Sequence, residues 1–567
     1  MTRLFPWLVL LIGAAILARP MMPTTHEGPY DLAALKRLPV SADGRVKPLD
    51  TVARMNLLAF SGRQTLQRGE EKLPAIRWLI DVMAGVEGVH DDEVFRIDHP
   101  GVLALLDQAA SDRKRFSFNE LAAHGQELVD QARRANDVQA RRRNPFQRAV
   151  LELYGRVDHY QRLARHQAPY LVPPRHADET WQQLPDVAQA APDHPAAQAY
   201  PQMFRTYRQG EPEPFNAALT EYRDALDSLV PGDVRRGGFE VFFNRFQPFY
   251  YASILYVFAF LLACGSWLGW SAPQRRGAVA LVVLILLVHT FGIAARIYLQ
   301  GRPPVTNLYS SAVFIGWGCV LIGLFLEYVR RDATGVVCAA VIGFLTLLVA
   351  HHLGGDGDTM QMMQAVLDTN FWLATHVTAI TIGYSATFFA GLLGILFIIL
   401  GIFTPRLRKA ERRSLGQAIY GVVCFALLFS FVGTVLGGIW ADVSWGRFWG
   451  WDPKENGAAL IVLMNALILH ARWGGMIQQR GMAVLAVGGN IITSWSWFGT
   501  NMLGVGLHSY GFMDSAMFWL FAFVVSQLAI MGIGLLPQRM WLSVQADETA
   551  SRARDESAVP GGKPRTA

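Results

Sequence analysis

Apolar and polar positions divide this chain into two contrasting parts. From residue 248 onward, long apolar runs alternate with short connectors, and nine of these runs are predicted to be helices: 249–269, 277–298, 309–328, 335–352, 372–402, 416–438, 456–475, 482–500 and 514–536. Most reach the roughly 20 residues that cross a bilayer, and they are too long for the strands of a membrane barrel. The pattern therefore predicts an all-α polytopic membrane protein over residues 248–536.

The remaining segments differ from this apolar part. Residues 1–20 hold a short apolar run between Arg3 and Arg19, which is typical of a signal-anchor or a cleavable signal peptide. Residues 21–247 are polar and are predicted to form a mostly helical soluble domain outside the cytoplasm. Residues 537–567 carry several basic residues and are predicted to be a disordered cytoplasmic tail.

Basic residues predict how the chain is oriented. Every second connector carries them, at 275–276, at 330–331, at 406–413, at 480 and in the tail. By the positive-inside rule these connectors face the cytoplasm, and the alternate connectors face outward with the N-terminal domain. We therefore expect a bacterial inner-membrane protein whose outward connectors lie on the periplasmic side.

Composition agrees with a membrane protein. Of the 567 residues, 52% are hydrophobic and only 17% are charged, against roughly 25% charged in a soluble domain. The net charge of +6 comes from connectors and the polar N-terminal stretch, so it does not indicate nucleic-acid binding. The four cysteines lie in apolar runs without a C-x-x-C pair, which argues against a disulfide scaffold or a zinc site.

The outward connector after the sixth predicted helix is rich in tryptophan. Four lie within twelve residues: Trp440, Trp445, Trp449 and Trp451. An interfacial aromatic belt is one explanation. The interleaved glycines favour another, because they let rings and backbone approach a flat ligand closely, with Arg447 and Lys454 available for carboxylates. Asp452 and Glu455 around Pro453 predict a capping box that opens the next helix.

This connector also carries a family resemblance. Residues 445–452, Trp-Gly-Arg-Phe-Trp-Gly-Trp-Asp, resemble the W-G-x-x-W-x-W-D signature of the cytochrome c assembly family, the haem-handling membrane proteins of the CcsA/ResC and CcmF type. Segments 301–311 and 372–377 are similar to CcsA-type members, and the resemblance covers roughly residues 248–536. It departs at Ser310, where many relatives have an acidic residue. In the N-terminal domain, residues 44–51 are similar to a segment of some long members.

Histidines are the candidate metal ligands of the membrane part. The predicted topology places His376 and His508 on the outward side with the tryptophan-rich connector, and two imidazoles can occupy both axial positions of a haem iron. A lone histidine can also just form a hydrogen bond between helices. The resemblance implies that His376 and His508 hold haem against the connector, with its four tryptophans, Arg447 and Asp452 forming the binding surface. It also implies an intramembrane ligand at His470, for which we predict His289 as partner.

The resemblance implies a role in cytochrome c biogenesis. In that role haem b enters at His470, moves outward, and is presented to the C-x-x-C-H segment of apocytochrome c for thioether attachment. Arg296 and Arg302 could pair with its propionates. A CcsB/ResB-like membrane partner is expected as a separate chain, and whether this chain has synthase activity alone stays open. The alternative is a haem-b electron-transfer subunit of a quinone oxidoreductase, in which the tryptophan-rich connector would have no role.

Overall fold

The computed structural model describes residues 3–22, 28–108, 112–176, 178–355, 357–363, 365–503 and 514–558. It is predominantly helical and divides into two compact units. The N-terminal unit comprises Leu17–Gln247 together with His352–Met362. The bundle unit comprises the first sixteen residues, Pro248–His351 and the chain from Met363 onward. The segment His352–Met362, predicted as part of an outward membrane connector, therefore belongs to the N-terminal unit.

The N-terminal unit is mostly helical, with three short antiparallel hairpins. The hairpins pair Pro39–Ala42 with Arg45–Pro48, Thr65–Arg68 with Glu71–Pro74, and Phe95–Arg96 with Arg115–Phe116. The helices are Leu32–Leu35, Leu49–Ser61, Ala75–Ala84, Pro100–Leu105, Phe118–Ala123, Gly125–Asn136, Pro145–Ala164, Leu184–Ala190, Pro195–Gln209, Pro212–Leu229 and Pro231–Phe246. Five of them begin with proline, whose fixed φ and missing N–H suit the first helical position.

One buried core holds this unit together. Trp78, Phe95, Tyr160 and Phe215 are among its fully buried side chains. Phe95 and Tyr160 meet edge to face, with ring centroids 5.5 Å apart. These aromatic contacts join the short hairpins to the longer helices, so the small strands are stabilised by helix packing rather than by an extended sheet.

A buried ionic cluster ties the segment His352–Met362 to the first hairpin. Asp358 accepts hydrogen bonds from Lys47 Nζ at 2.8 Å and from Arg45 Nε at 3.1 Å. Arg45 also makes two parallel hydrogen bonds of 2.8 Å to Glu240. Burial by itself would raise the pKa of the Asp358 carboxyl. The positive charges of Arg45 and Lys47 outweigh this effect and lower the pKa to about 2. The basic residues of the 44–51 segment thus hold a carboxylate from a distant part of the chain.

The bundle unit contains a helix at each of the nine predicted positions. Their bounds are Pro248–Leu268, Ser271–Gln300, Leu308–Arg330, Thr334–Leu353, Asn370–Phe403, Lys409–Trp445, Pro453–Trp473, Gln479–Met502 and Asp514–Gly534. Among the described residues, seven helices are long and apolar enough to cross a membrane, and the two that fall short of this measure are those starting at Pro453 and Gln479. The predicted all-α polytopic membrane fold is confirmed; the number of spans stays a prediction.

Two of these helices contain a π-helical turn. One covers Leu373–Val377 near the start of the Asn370–Phe403 helix, and the other covers Trp495–Gly499 near the end of the Gln479–Met502 helix. A π-turn widens the helix and is frequently found at functional sites. The N-terminal apolar helix, Phe5–Ala18, packs on the Ser271–Gln300 helix, because a side chain at Gly277 would touch Phe5 and Val9.

The tail differs from the disorder predicted for it. Residues Leu542–Ala558 form a helix, preceded by Trp541, whose side chain is 2% exposed. Trp541 packs edge-on against Phe397 with ring centroids 6.1 Å apart, and Arg412 pairs with Asp547 at 2.7 Å. The composition of this segment is polar, and the order of its described part comes from one buried aromatic side chain and one ion pair with the bundle.

Candidate functional site

A cavity in the bundle unit gathers several of the predicted site residues. Its volume is about 210 Å³, and its wall is mostly apolar. His376, Trp440, Trp445 and Trp449 all line it. A largely apolar cavity with a few convergent polar groups is the usual form of a small-molecule site.

His376 lies within the π-turn Leu373–Val377, and its ring orientation is set by the neighbouring helix. Its Nδ1 is 2.8 Å from the carbonyl oxygen of Gly433. A carbonyl only accepts, so Nδ1 carries the proton, and in the neutral ring Nε2 then carries the lone pair. Gly433 and Gly437 leave room for this approach, since a Cβ at Gly437 would lie 2.6 Å from the imidazole Cε1.

Aromatic rings continue the wall beside His376. The Trp440 ring meets the imidazole at 61° with centroids 5.7 Å apart, and it stacks on Trp372 at 12° and 6.3 Å. Trp440 is 6% exposed, and its Nε1 has no hydrogen-bond partner among the described residues. A buried donor next to a cavity is costly unless it meets an acceptor. Trp440 therefore offers an N–H to an anionic or carbonyl group of a ligand.

The rest of the tryptophan-rich connector divides between the cavity and the surface. Trp445 and Trp449 line the cavity, whereas Trp451 is 77% exposed and lies edge-on to Trp449 at 6.2 Å. Trp451 has a φ of +57°, an uncommon left-handed conformation for a non-glycine residue. The structure thus brings only part of the predicted aromatic surface to the cavity.

The predicted capping box is present at the end of this connector. Asp452 accepts a hydrogen bond from the backbone N–H of Lys454 at 2.8 Å, and Glu455 accepts from that of Asp452 at 3.1 Å. Glu455 also accepts from the Gly450 N–H at 2.8 Å. The exposed Arg447 guanidinium lies against Gly450. Asp452 and Glu455 therefore hold the connector backbone in place, and Arg447 is outside the cavity wall.

The second π-turn contributes a wall that the sequence reasoning missed. Trp497, within Trp495–Gly499, lines the cavity and donates from Nε1 to Ser311 at 2.9 Å. Lys454 Nζ donates to the carbonyl oxygens of Ser496 and Trp497, both at 2.8 Å. Lys454, predicted to be available for ligand carboxylates, instead binds the π-turn. In the sequence, two glycines four residues apart, 433 and 437, could have indicated that their helix packs closely on another one. No sequence pattern distinguished Trp497 from the other tryptophans.

The two predicted intramembrane ligands have different surroundings. His289 is completely buried, with Nε2 3.0 Å from the Val313 carbonyl and Nδ1 3.3 Å from the Tyr256 hydroxyl. His470 is exposed on the Pro453–Trp473 helix, with Nδ1 2.9 Å from the Ala466 carbonyl. The described contacts of the two rings share no residue, and their pairing stays a prediction.

Three further residues were predicted to contact haem: His508, Arg296 and Arg302. His508 lies outside the described residues. Arg302 makes a two-pronged ion pair with Asp368, at 2.7 and 2.5 Å, and Arg296 lies over the Tyr309 ring at 4.6 Å. Both arginines predicted to meet propionates therefore have partners within the protein.

Comparisons with known proteins place these residues in a matched region. Residues 305–508, which include His376 and His508, match the family model described as cytochrome C assembly protein. Cytochrome c biogenesis protein CcsA of Synechococcus sp. (strain RCC307) is 32% identical over 275 residues, covering 43% of this chain and 88% of that protein. CcsA of Chlamydomonas reinhardtii is 31% identical over 243 residues, covering 41% of this chain and 66% of that protein.

A further relative matches more of the chain. Protein NrfI of Wolinella succinogenes is 25% identical over 492 residues, covering 82% of this chain and 53% of NrfI. The chain thus spans about half the length of NrfI. The part from residue 248 onward is too short to supply this match, so the similarity extends into the N-terminal unit.

Proposed function

Because this chain belongs to the CcsA-type cytochrome c assembly family, we propose that it binds haem b in the cavity around His376 and presents it to apocytochrome c. The CcsA relatives support a membrane protein with a role in cytochrome c maturation. We add to this a ligand, the residues that hold it, and an outer face on the periplasmic side of a bacterial inner membrane.

The tautomer of His376 is the observation that carries this proposal. The Gly433 carbonyl accepts a hydrogen bond from Nδ1–H, so in the neutral ring the lone pair that could bind an iron lies on Nε2. The apolar wall with Trp440, Trp445 and Trp449 suits the faces of a porphyrin. The buried Trp440 N–H suits one of its carboxylates.

A second axial ligand completes the proposed site. His508 has the right chemistry and lies on the same side of the predicted topology. With both axial positions occupied by imidazole, the iron would be protected and the vinyl edge held toward the substrate peptide. The protein's part is therefore to bind and orient the haem.

Attachment uses groups that the two substrates bring. Each reduced cysteine of a C-x-x-C-H segment adds across one haem vinyl group. A carbon–sulfur bond forms, and the thiol proton goes to the neighbouring vinyl carbon, so no oxidant or reductant is consumed. We assign this step to a complex of this chain with a CcsB/ResB-like partner.

The intramembrane site is proposed with one ligand from this chain. His470 is exposed, and its Nδ1 also faces a carbonyl, so the same tautomer argument makes Nε2 a ligand for haem on its way outward. The Nδ1 lone pair of His289 already faces the Tyr256 hydroxyl, and Nε2 donates to the Val313 carbonyl, so both ring nitrogens have partners and we assign His289 a structural role. We then expect the second haem ligand at this depth to come from a residue other than His289.

The test replaces His376 by glycine in the full chain, expressed with the candidate partner in a strain that reports holocytochrome c. We expect the haem content of the purified protein and the holocytochrome yield to fall at least tenfold. Added imidazole should restore haem binding, because the vacated volume admits the free ligand. The control is His351→Ala at the end of the Thr334–Leu353 helix. Equal behaviour of the two variants would exclude His376 as a ligand.

A further inference from the structure

A second cleft opens where the Ser271–Gln300 helix begins and the Leu308–Arg330 helix ends. Its volume is about 560 Å³, and Arg275, Arg276 and Arg331 all line it. None of these residues belongs to the cavity around His376.

Most of the positive charge in this cleft is available to a ligand. Arg275 pairs with Glu327 at 2.9 Å, and this carboxylate is 3% exposed. Arg276 and Arg331 are exposed, and the ion pairs formed by the described residues include neither of them. The two positive charges of Arg276 and Arg331 therefore remain beside the neutralised pair of Arg275 and Glu327, and they favour binding of an anion.

Apolar side chains line the rest of this cleft. They are Val279, Val283 and Leu324, together with Tyr328, whose ring centroid lies 6.0 Å from the Arg331 guanidinium. The side chains of Val283 and Tyr328 are 43% and 73% exposed on helices of membrane-spanning length. A ligand that fits both features has an anionic head and an apolar tail. Basic clefts between membrane helices bind the headgroups of anionic lipids in this way.

The backbone holds one arginine in this position at an energetic cost. Arg331 has a φ of +57° and Ala333 a φ of +68°, a left-handed conformation in which the Cβ of an L-residue is crowded by the following carbonyl oxygen. The turn is closed by Glu327, which accepts from the Ala333 N–H at 3.2 Å. The other oxygen of Glu327 accepts no hydrogen bond from any described residue, so it can receive one from a headgroup hydroxyl.

From these contacts we infer that the cleft binds an anionic phospholipid. The phosphate lies between Arg276 and Arg331, a headgroup hydroxyl approaches Glu327, and an acyl chain follows Val283 and Tyr328. The inference does not depend on the proposed function, because no residue of the haem cavity takes part.

The experiment measures lipid binding by the delipidated full chain in a neutral detergent. The probe is phosphatidylglycerol with a fluorescent acyl chain, with phosphatidylcholine of the same chain as the neutral comparison. The test variant combines Arg276→Gln with Arg331→Gln. The control combines Arg408→Gln with Arg413→Gln, two exposed arginines whose loss changes the net charge equally.

We expect the test variant to bind phosphatidylglycerol at least tenfold more weakly, while the control binds like the original protein. An Arg276→Lys, Arg331→Lys variant should retain most of the binding, since the charges remain. Equal losses in test and control variants, or equal binding of phosphatidylcholine, would overturn the inference. Displacement of the lipid by millimolar inorganic phosphate would assign the cleft to a free anion, and displacement by micromolar haem would assign it to a porphyrin; either result also overturns it.

Discussion

Replacing Gly437 by alanine would displace the imidazole of His376, the proposed haem ligand, without changing the residue itself. The added Cβ would lie 2.6 Å from Cε1 and 3.0 Å from Nδ1 of His376, whereas ordinary contacts begin at 3.4 Å. The imidazole must therefore move by about 0.8 Å or the two helices must separate. Either movement stretches the 2.8 Å hydrogen bond from Nδ1 to the Gly433 carbonyl beyond a useful length.

The expected magnitude follows from three contributions. Overpacking costs about 1–3 kcal/mol, and the lost hydrogen bond costs about 0.5–1.5 kcal/mol. The higher helix propensity of alanine returns up to about 1 kcal/mol. Gly421 lies in the same Lys409–Trp445 helix with nothing within 4 Å of its Cβ position, so Gly421→Ala keeps only the favourable contribution. The two variants should differ in stability by about 3 kcal/mol.

The assay compares both variants of the full chain after purification. Haem content is read from the Soret absorbance per protein, and stability from the thermal unfolding midpoint. We expect Gly437→Ala to lose at least nine-tenths of its haem and to unfold at a lower temperature, and Gly421→Ala to do neither. If Gly437→Ala loses stability but keeps its haem, the His376 ring orientation does not matter for binding, and the reasoning is refuted.

Three more predictions concern other parts of the structure. Asp358→Asn should destabilise the N-terminal unit by about 3–5 kcal/mol, and Asp98→Asn, in an exposed pair, by at most about 1 kcal/mol, measured by amide exchange in the first hairpin. The lowered pKa of Asp358 means that its stabilisation is complete above about pH 4 and is lost as the pH falls through about 2; exchange that does not change over this range would contradict it. Trp541→Ala should cost about 3–5 kcal/mol in thermal stability, unlike Trp519→Ala at a 70% exposed site. Lys454→Met should speed amide exchange in the second π-turn, because two hydrogen bonds of about 0.5–1.5 kcal/mol each are lost; unchanged exchange would show that the turn holds without it.

The two π-turns place side chains of two packed helices at one cavity. His376 and Trp497 both lie on such turns, and both line the same cavity. A π-turn leaves carbonyl groups outside the regular α-helical pattern, and Lys454 accounts for two of them at the second turn. The Lys454 amine therefore holds the backbone of the second π-turn.

The order of helices and the tryptophan-rich connector could be predicted because local patterns determine them. An apolar run of membrane length has to be helical in lipid, and the Asp452 capping box needs only neighbouring residues. The same local character made His376 a candidate, since its position in the chain and the family resemblance were sufficient to select it.

Long-range contacts decided what local patterns left open. Trp497 reaches the cavity from a helix more than a hundred residues after His376, and Asp358 joins Arg45 across more than three hundred. The single burial of Trp541 orders a tail whose composition is polar. Periodicity and charge determine which segments are helical and which side of a membrane they favour. Only packing in three dimensions determines which side chains meet, because a contact depends on distance in space and each helix face offers several equivalent partners.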